Sequence, residues 1–334
     1  MNDPSYSTIM AETEAIAKMA EFVSREIFSV FGWERKSHEN LNFECEFAEH
    51  RKKTHPVDVV YHYASPLDPN RIYLNVDLKS YARASISSSA IVTAANSLIL
   101  AVDCANRSKQ WRDRYVGSEE SYDVHGLLFV YNHDGEFDQN WSRLLADAKI
   151  NNRRINATLR QRLYIVGPPD ILYLVSVADD IKRQRGDNRL PARNECWFHY
   201  PDLTEARFNR NQSLAATMEI LTAPWMIFGF RGTTEAGMVQ GSYCYYRGNG
   251  DRHEEFCFLI DYLFRTQLVG ENNIITIKPF LPTGKVAENF NKAKEVYASD
   301  HHALPEFQKR LDRIQLEPLS RIRQSFNEED LGMD

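Results

Sequence analysis

Two alternating segments joined by a proline-rich turn constrain the fold of this chain most strongly. Val57–Tyr63 is rich in valine and tyrosine, and apolar and polar residues alternate without a break in Ile72–Lys79. Alternation with a period of two is typical of strands that bury one face. The segment between them, Ser65–Asn70, contains two prolines with aspartate and asparagine, which form turns and interrupt central strands. The pattern therefore predicts an antiparallel β-hairpin.

The midpoint of this hairpin decides which side chains face each other. The mean of positions 58 and 77 is 67.5, which falls inside the turn, so a symmetric hairpin places Asp58 opposite Asp77. Opposed side chains lie about 4.5–5.5 Å apart at Cβ, and like charges there are destabilising. Mg²⁺ or Mn²⁺ would offset that repulsion, because carboxylate oxygens suit both ions. Lys79 shares the same face, so the three residues offer metal ligands beside a positive charge, as phosphodiester hydrolysis requires.

The segments around the hairpin predict an α/β domain. Residues 9–31 carry a helical apolar stripe, Leu41–Glu49 alternates like a strand, and the apolar run His125–Tyr131 is typical of a strand buried on both faces. Further elements are expected as helices at about 88–115, 140–149 and 170–185 and a strand at Leu163–Val166. Together they predict a mixed sheet flanked by helices.

The chain is long enough for a second domain, since 334 residues exceed one ordinary core. Gly186, Pro191 and several charges mark residues 186–196 as the boundary, which gives domains over 1–188 and 189–334. In the second domain, helices are expected near 212–222, 253–269 and 285–298, and strands at 225–231, 238–247 and 273–280. We expect an α+β unit that binds substrate or a partner and ends in a helical tail. No internal repeat is visible in the sequence.

The residues of the hairpin resemble a known nuclease motif. The run His55–Asp58 (HPVD), followed by Tyr73–Ser80 (YLNVDLKS), resembles the PD-(D/E)xK motif of restriction-endonuclease-like nucleases. The order helix, three strands, helix, strand over roughly residues 9–135 is similar to the core of that fold. The proline stands two residues before Asp58 rather than next to it, and the second acid is Asp where Glu is common. The resemblance implies that Asp58 and Asp77 bind the metal, that Lys79 is the catalytic lysine, and that the protein acts in restriction or anti-phage defence.

Four further positions near the hairpin are weaker candidates. Glu46 lies on the polar side of the preceding segment, where it is either a further metal ligand or part of a solvated face. Glu12 falls on the apolar stripe of the first helix, so it either ends that helix or reaches the site from it, as in many nucleases of this resemblance. His50 and His55 bracket the basic loop Arg51-Lys52-Lys53, which could contact phosphate. Either histidine alone is more often structural than catalytic.

The distribution of charge neither requires nor excludes a nucleic-acid partner. The net charge of −6 argues mildly against one, because phosphate contacts favour a basic surface. Locally, residues 182–193 carry five cations against one aspartate, with Arg183, Arg185 and Arg189 as candidate phosphate contacts. A second basic group lies within 107–114. A solvated charged face is the simpler interpretation of each cluster alone.

Several classes of protein are disfavoured by what the sequence lacks. Its five cysteines are scattered and never spaced C-x-x-C, which indicates a reducing cytoplasm and argues against structural zinc and disulfides. The first residues do not resemble a signal peptide, and no apolar run approaches the roughly 18 residues of a membrane span, so no membrane partner is expected. Neither a phosphate-binding G-x-x-x-x-G-K-[ST] loop nor a G-x-G-x-x-G dinucleotide fingerprint occurs.

The sequence leaves three functions open. The first is a metal-dependent endonuclease, with DNA as the favoured substrate and a partner subunit or an oligomer as possible aids to binding. The second is a nuclease-fold subunit that binds nucleic acid or a partner protein in a defence complex without cutting. The third is an interaction protein in which Asp58, Asp77 and Lys79 form a surface ion-pair cluster. Metal binding separates the first two from the third, and turnover separates the first from the second.

Overall fold

A computed structural model describes residues 18–67, 70–117, 121–148, 162–200, 212–270, 273–301 and 304–320. The chain divides into two compact units, the first ending at Val175 and the second covering 176–322. The division falls inside a helix, Pro168–Gly186, whereas the sequence places the domain boundary just after that helix.

A five-stranded mixed sheet forms the centre of the first unit. Its elements in chain order are α1 (18–30), β1 (Glu34–Arg35), β2 (Phe43–Glu44), β3 (Thr54–His55), β4 (Val59–Ala64), β5 (Arg71–Tyr81), α2 (Ser88–Ala105), α3 (Lys109–Tyr115), β6 (Tyr122–Asn132), α4 (Trp141–Asp147) and β7 (Leu163–Val166). The strand order is β1-β4-β5-β6-β7, with β1, β4 and β5 antiparallel and β5, β6 and β7 parallel. The predicted α/β class with a mixed sheet is confirmed.

Helix α2 packs on the sheet and contributes much of the core of this unit. Ser87 caps its first turn by accepting a hydrogen bond from the N–H of Ala90. The helix is long and apolar enough to cross a membrane, contrary to expectation, but most of its residues are buried within the unit. The single helix predicted over 88–115 is wrong in one respect. It ends at Ala105, and Ser108 starts α3 by accepting from the N–H of Trp111.

The strand predicted over Leu41–Glu49 is mostly wrong. Only β2, Phe43–Glu44, is extended, and it pairs with β3 in a separate two-stranded sheet. The chain then turns through a 3-10 helix at Ala48–His50 and leaves it through Arg51, whose φ of 53° lies in the left-handed region. The alternation has a tertiary cause, because Phe43 is buried in the core against Val57, Val60 and Trp111.

The second unit is built around a six-stranded sheet. Its elements are the part of α5 (Pro168–Gly186) after Val175, β8 (Cys196–His199), β9 (Gln212–Ser213), α6 (Met218–Leu221), β10 (Trp225–Thr234), β11 (Gly237–Tyr246), α7 (His253–Arg265), β12 (Ile274–Pro279), α8 (Val286–Asp300), α9 (Pro305–Asp312) and β13 (Ile314–Leu316). The strand order is β13-β12-β11-β10-β8-β9. The expected hairpin and the helices after it are present, but the helix predicted near 212–222 is only the short α6, preceded by β9.

The two units share one order of connections. In each, a helix precedes a strand antiparallel to the first arm of a hairpin, and a helix follows the hairpin. A strand parallel to the second arm comes next, then further helix and a last parallel strand. Thus β1 corresponds to β8, β4 to β10, β5 to β11, β6 to β12 and β7 to β13. In the second unit, Ile227 and Cys244 pair across the hairpin and are buried in the apolar core that includes α7.

Candidate metal-dependent nuclease site

The register of the β4–β5 hairpin agrees with the prediction. Val59 pairs with Val76 and Ala64 pairs with Arg71, so the same register continues to Asp58 and Asp77. Asp58 immediately precedes β4, and Asp77 lies within β5. The structure therefore brings the two carboxyl groups to neighbouring positions on one face of the sheet.

The carboxyl group of Asp58 is crowded. Its Oδ2 atom accepts a hydrogen bond of 2.7 Å from the backbone N–H of Leu78. The pKa of Asp58 is raised to about 6, first by burial and then by the charge and hydrogen bond of Asp77, against the opposing effects of Leu78 and Lys79. A divalent cation would offset the effect of Asp77 on Asp58, and the hard oxygens of the two carboxyl groups fit Mg²⁺ or Mn²⁺.

Lys79 completes the cluster from the same strand. Its Nζ atom lies 2.5 Å from Oδ1 of Asp77, and the lysine side chain keeps 32% of its exposure while Asp77 keeps 16%. Burial lowers the pKa of Lys79, but Asp77 and Asp58 together raise it above its ordinary value. Lys79 is therefore a fixed ammonium group that remains open to a ligand.

Asn75, which lies two residues before Asp77, is a polar residue of the site that the motif alone did not predict. Its side chain is 1% exposed, and neither Oδ1 nor Nδ2 has a hydrogen-bond partner among the described residues. Leaving such a buried group unpaired costs about 1–3 kcal/mol, so its presence needs a physical reason. The alternation of Ile72–Lys79 was the available signal, because it places Asn75, Asp77 and Lys79 on one face.

Of the two weaker metal-ligand candidates, Glu46 lies within the described residues and Glu12 does not. Glu46 lies in the segment after β2, and its side chain is exposed. The turn after Glu44 takes the chain out of the strand that the prediction assumed for Glu46. Glu12 lies outside the described residues and stays a prediction.

The basic candidates fall in both units. Arg51, Lys52 and Lys53 are exposed in the loop that leads through β3 to Asp58, and Lys52 donates to Oγ of Ser97 at 3.1 Å. In the second unit, the guanidinium of Arg183 is paired with buried Asp180 at 2.5 Å, and Arg185 is half-buried beside Cys196. Arg189 is exposed. The side chains of the Arg51–Lys53 loop are therefore more available to a phosphate than those of Arg183 and Arg185.

A mixed sheet, an antiparallel hairpin with opposed acids and a lysine two residues after the second acid together define a restriction-endonuclease-like nuclease domain. A family model described as the GAPS4 protein PD-(D/E)XK nuclease domain matches residues 10–170. This part of the chain therefore matches a PD-(D/E)xK nuclease domain, as the sequence predicted. Neither the curated proteins nor the solved structures contain a match to the chain.

Proposed function

We propose that this protein is a divalent-metal-dependent endonuclease that hydrolyses phosphodiester bonds, with DNA as the favoured substrate. One observation supports this function above others. The hairpin register places Asp58 opposite Asp77, and Lys79 lies against Asp77 on the same face. Carboxylates and an ammonium group in this arrangement suit attack on a phosphate.

Each of the three side chains has a role in this proposal. Asp58 and Asp77 would hold Mg²⁺ or Mn²⁺, which when bound lowers the pKa of water and polarises a phosphate. The N–H of Leu78 holds the Asp58 carboxyl group in place. Lys79 keeps its proton and stabilises the negative charge that develops on the phosphate.

The surroundings of the site support a substrate with phosphates. The exposed cations of Arg51–Lys53 stand in the chain just before Asp58 and would contact the nucleic-acid backbone. The net charge of −6 favours help from a partner subunit or from a second copy of the chain in binding. We place this activity in the cytoplasm, in restriction or anti-phage defence.

The experiment is incubation of the purified protein with supercoiled plasmid DNA, and separately with RNA, in the presence of Mg²⁺ or Mn²⁺. We expect cleavage of DNA that EDTA stops and that Asp77→Ala abolishes. Cleavage that Asp77→Ala leaves unchanged would contradict the assignment of the site. Cleavage of RNA alone would overturn the choice of substrate.

A second candidate is a nuclease-fold subunit that binds nucleic acid or a partner protein without cutting. The contact between Lys79 and Asp77 favours it, because the lysine already neutralises one acid of the pair. Under this alternative, Mg²⁺ or Mn²⁺ would still raise the melting temperature by binding the native state. Nucleic acid would be bound but would remain intact.

A further inference from the structure

Two cysteines and two histidines from separate elements meet beside the sheet of the first unit. Cys45 follows β2, His50 ends the 3-10 helix, His55 lies in β3, and Cys104 lies in the last turn of α2. One sulfur or ring-nitrogen atom from each residue lies within 4.8 Å of all the others. His55 and Cys104 are fully buried and His50 is 9% exposed, so the group lies in the interior.

The distances within this group match a tetrahedron of zinc ligands. With Zn–S near 2.3 Å and Zn–N near 2.0–2.1 Å, tetrahedral geometry puts two sulfurs about 3.8 Å apart, sulfur and nitrogen about 3.6 Å, and two nitrogens about 3.3 Å. The two Sγ atoms are 3.6 Å apart. Nδ1 of His50 lies 3.6 Å from Sγ of Cys45, 3.3 Å from Sγ of Cys104 and 3.4 Å from Nε2 of His55.

Neither a disulfide bond nor hydrogen bonding alone accounts for the convergence of these four side chains. A sulfur–sulfur separation of 3.6 Å is far beyond the roughly 2.05 Å of a disulfide bond. Hydrogen bonds between thiols and imidazoles are weak and would not require all four atoms to converge on one point. Nδ1 of His55 has no partner among the described residues, so the hydrogen-bonding contact of this ring is made by Nε2 within the cluster.

A buried carboxylate orients one of the histidines for such a role. Nε2 of His50 lies 3.2 Å from Oδ2 of Asp103, which is 4% exposed. A proton on Nε2 leaves Nδ1 free to face the two sulfurs. A carboxylate on the far nitrogen is the usual support of a histidine that binds a metal.

We propose that Cys45, His50, His55 and Cys104 bind a structural Zn²⁺ ion, separate from the metal of the nuclease site. Four protein ligands leave no open position for a substrate, and zinc deprotonates the thiols that it binds. The ion would fasten β2 and β3 to helix α2. It would thereby fix the basic loop Arg51–Lys53 and the start of the segment that carries Asp58. The missing C-x-x-C pair hid this site, because the fourth ligand comes from a helix far along the chain.

The first test is the metal content of the full-length protein, purified without a chelator. We expect about one zinc ion per chain, and we expect the double variant C45S/C104S to lose it. Cys257→Ser, which changes a half-buried cysteine outside the cluster, is the matched control and should keep the zinc. Asp77→Asn should also keep it, which separates this site from the nuclease site.

The second test covers the case in which the double variant fails to fold. A chain grown with Co²⁺ in place of Zn²⁺ should show thiolate-to-cobalt charge-transfer absorption and the visible bands of a tetrahedral ion. Mercurial modification of the thiols should release the metal from the wild type. A wild type without bound zinc and without these bands overturns the proposal, and so does a C45S/C104S variant that keeps its zinc.

Discussion

Asp58 lies immediately before β4, where burial and the neighbouring Asp77 raise the pKa of its carboxyl group to about 6. The unfolded value is near 3.8, so folding favours the protonated form, and stability is lost as the pH rises between about 4 and 6. Without metal, Asp58→Asn should therefore raise the melting temperature at pH 8, by an amount that reflects about 1–2 kcal/mol. It should have little effect near pH 4.

The same variant tests metal binding. Mg²⁺ or Mn²⁺ should raise the melting temperature of the wild type, because a ligand of the native state stabilises it by mass action. Asp58→Asn should reduce that response, measured by thermal denaturation with and without the ion at pH 8. An equal response in the variant would show that Asp58 is not a ligand.

Lys79 allows a test of mechanism rather than of binding. On the proposed mechanism its ammonium group acts where charge develops in the transition state, so Lys79→Ala should lower kcat by about 10²–10³ while nucleic-acid affinity stays nearly unchanged. Lys79→Arg should restore little of the cleavage activity, since a planar guanidinium is not a point charge. The control is Lys309, an exposed lysine of the second unit. Lys309→Ala should cleave DNA as the wild type does. Equal cleavage by Lys79→Ala and the wild type would contradict the assignment.

Asn75 carries a buried amide without a described partner, beside the acids of the site. Asn75→Leu replaces it with an apolar group of similar size, so thermal stability should hold or rise. We expect DNA cleavage to fall, because the amide shares that strand face with Asp77 and Lys79. A variant that is stable and fully active would show that the amide has no part in the reaction.

Among the elements of the first unit, the β2–β3 segment holds the cations closest in the chain to Asp58. Replacing Arg51, Lys52 and Lys53 with alanine should weaken binding to all duplex sequences alike. Each phosphate contact contributes about 0.9 to the slope of log affinity against log salt, so the slope should flatten by up to about 2.7. Electrophoretic or anisotropy titrations over a range of salt concentrations measure this.

The basic residues of α5 and the turn after it provide the comparison. Arg183 is neutralised by Asp180 and Arg185 is half-buried, so the triple alanine variant of Arg183, Arg185 and Arg189 should flatten the slope less than the loop variant does. The opposite ranking would place the main phosphate contacts in the second unit.

The elements that could be predicted from the sequence are those whose pattern has a local cause. The hairpin was predictable to the register because its alternation and its turn residues agree. The end of α2 and the shortness of β2 were not, because they depend on Ser108 capping a new helix and on Phe43 packing against distant residues. The Cys–His cluster was missed for the same reason, since only the tertiary fold brings Cys104 to Cys45.

In the molecule as a whole, the described part of the chain holds one Asp58–Asp77–Lys79 centre, and the hairpin of the second unit buries Ile227 and Cys244 in an apolar core. A single centre cuts one strand at each encounter. At low protein concentration, supercoiled plasmid should therefore become nicked circles before linear molecules appear, as followed on agarose gels. Linear product formed at once under these conditions would mean that two centres act together.

The shared order of connections in the two units could not be predicted from the sequence. It is a similarity of strand order and connection, without a matching repeat of residues. Its consequence concerns what mutation can do to each copy. A substitution at Ile227 or Cys244 is tolerated when the new side chain is apolar and fills the same space. The core of the second sheet can therefore accept a range of apolar residues. A change at Asp77 alters chemistry even where it packs well. The two units thus share one order of connections but differ in what limits their substitutions. Side-chain volume limits those at Ile227 and Cys244, whereas side-chain charge limits those at Asp77.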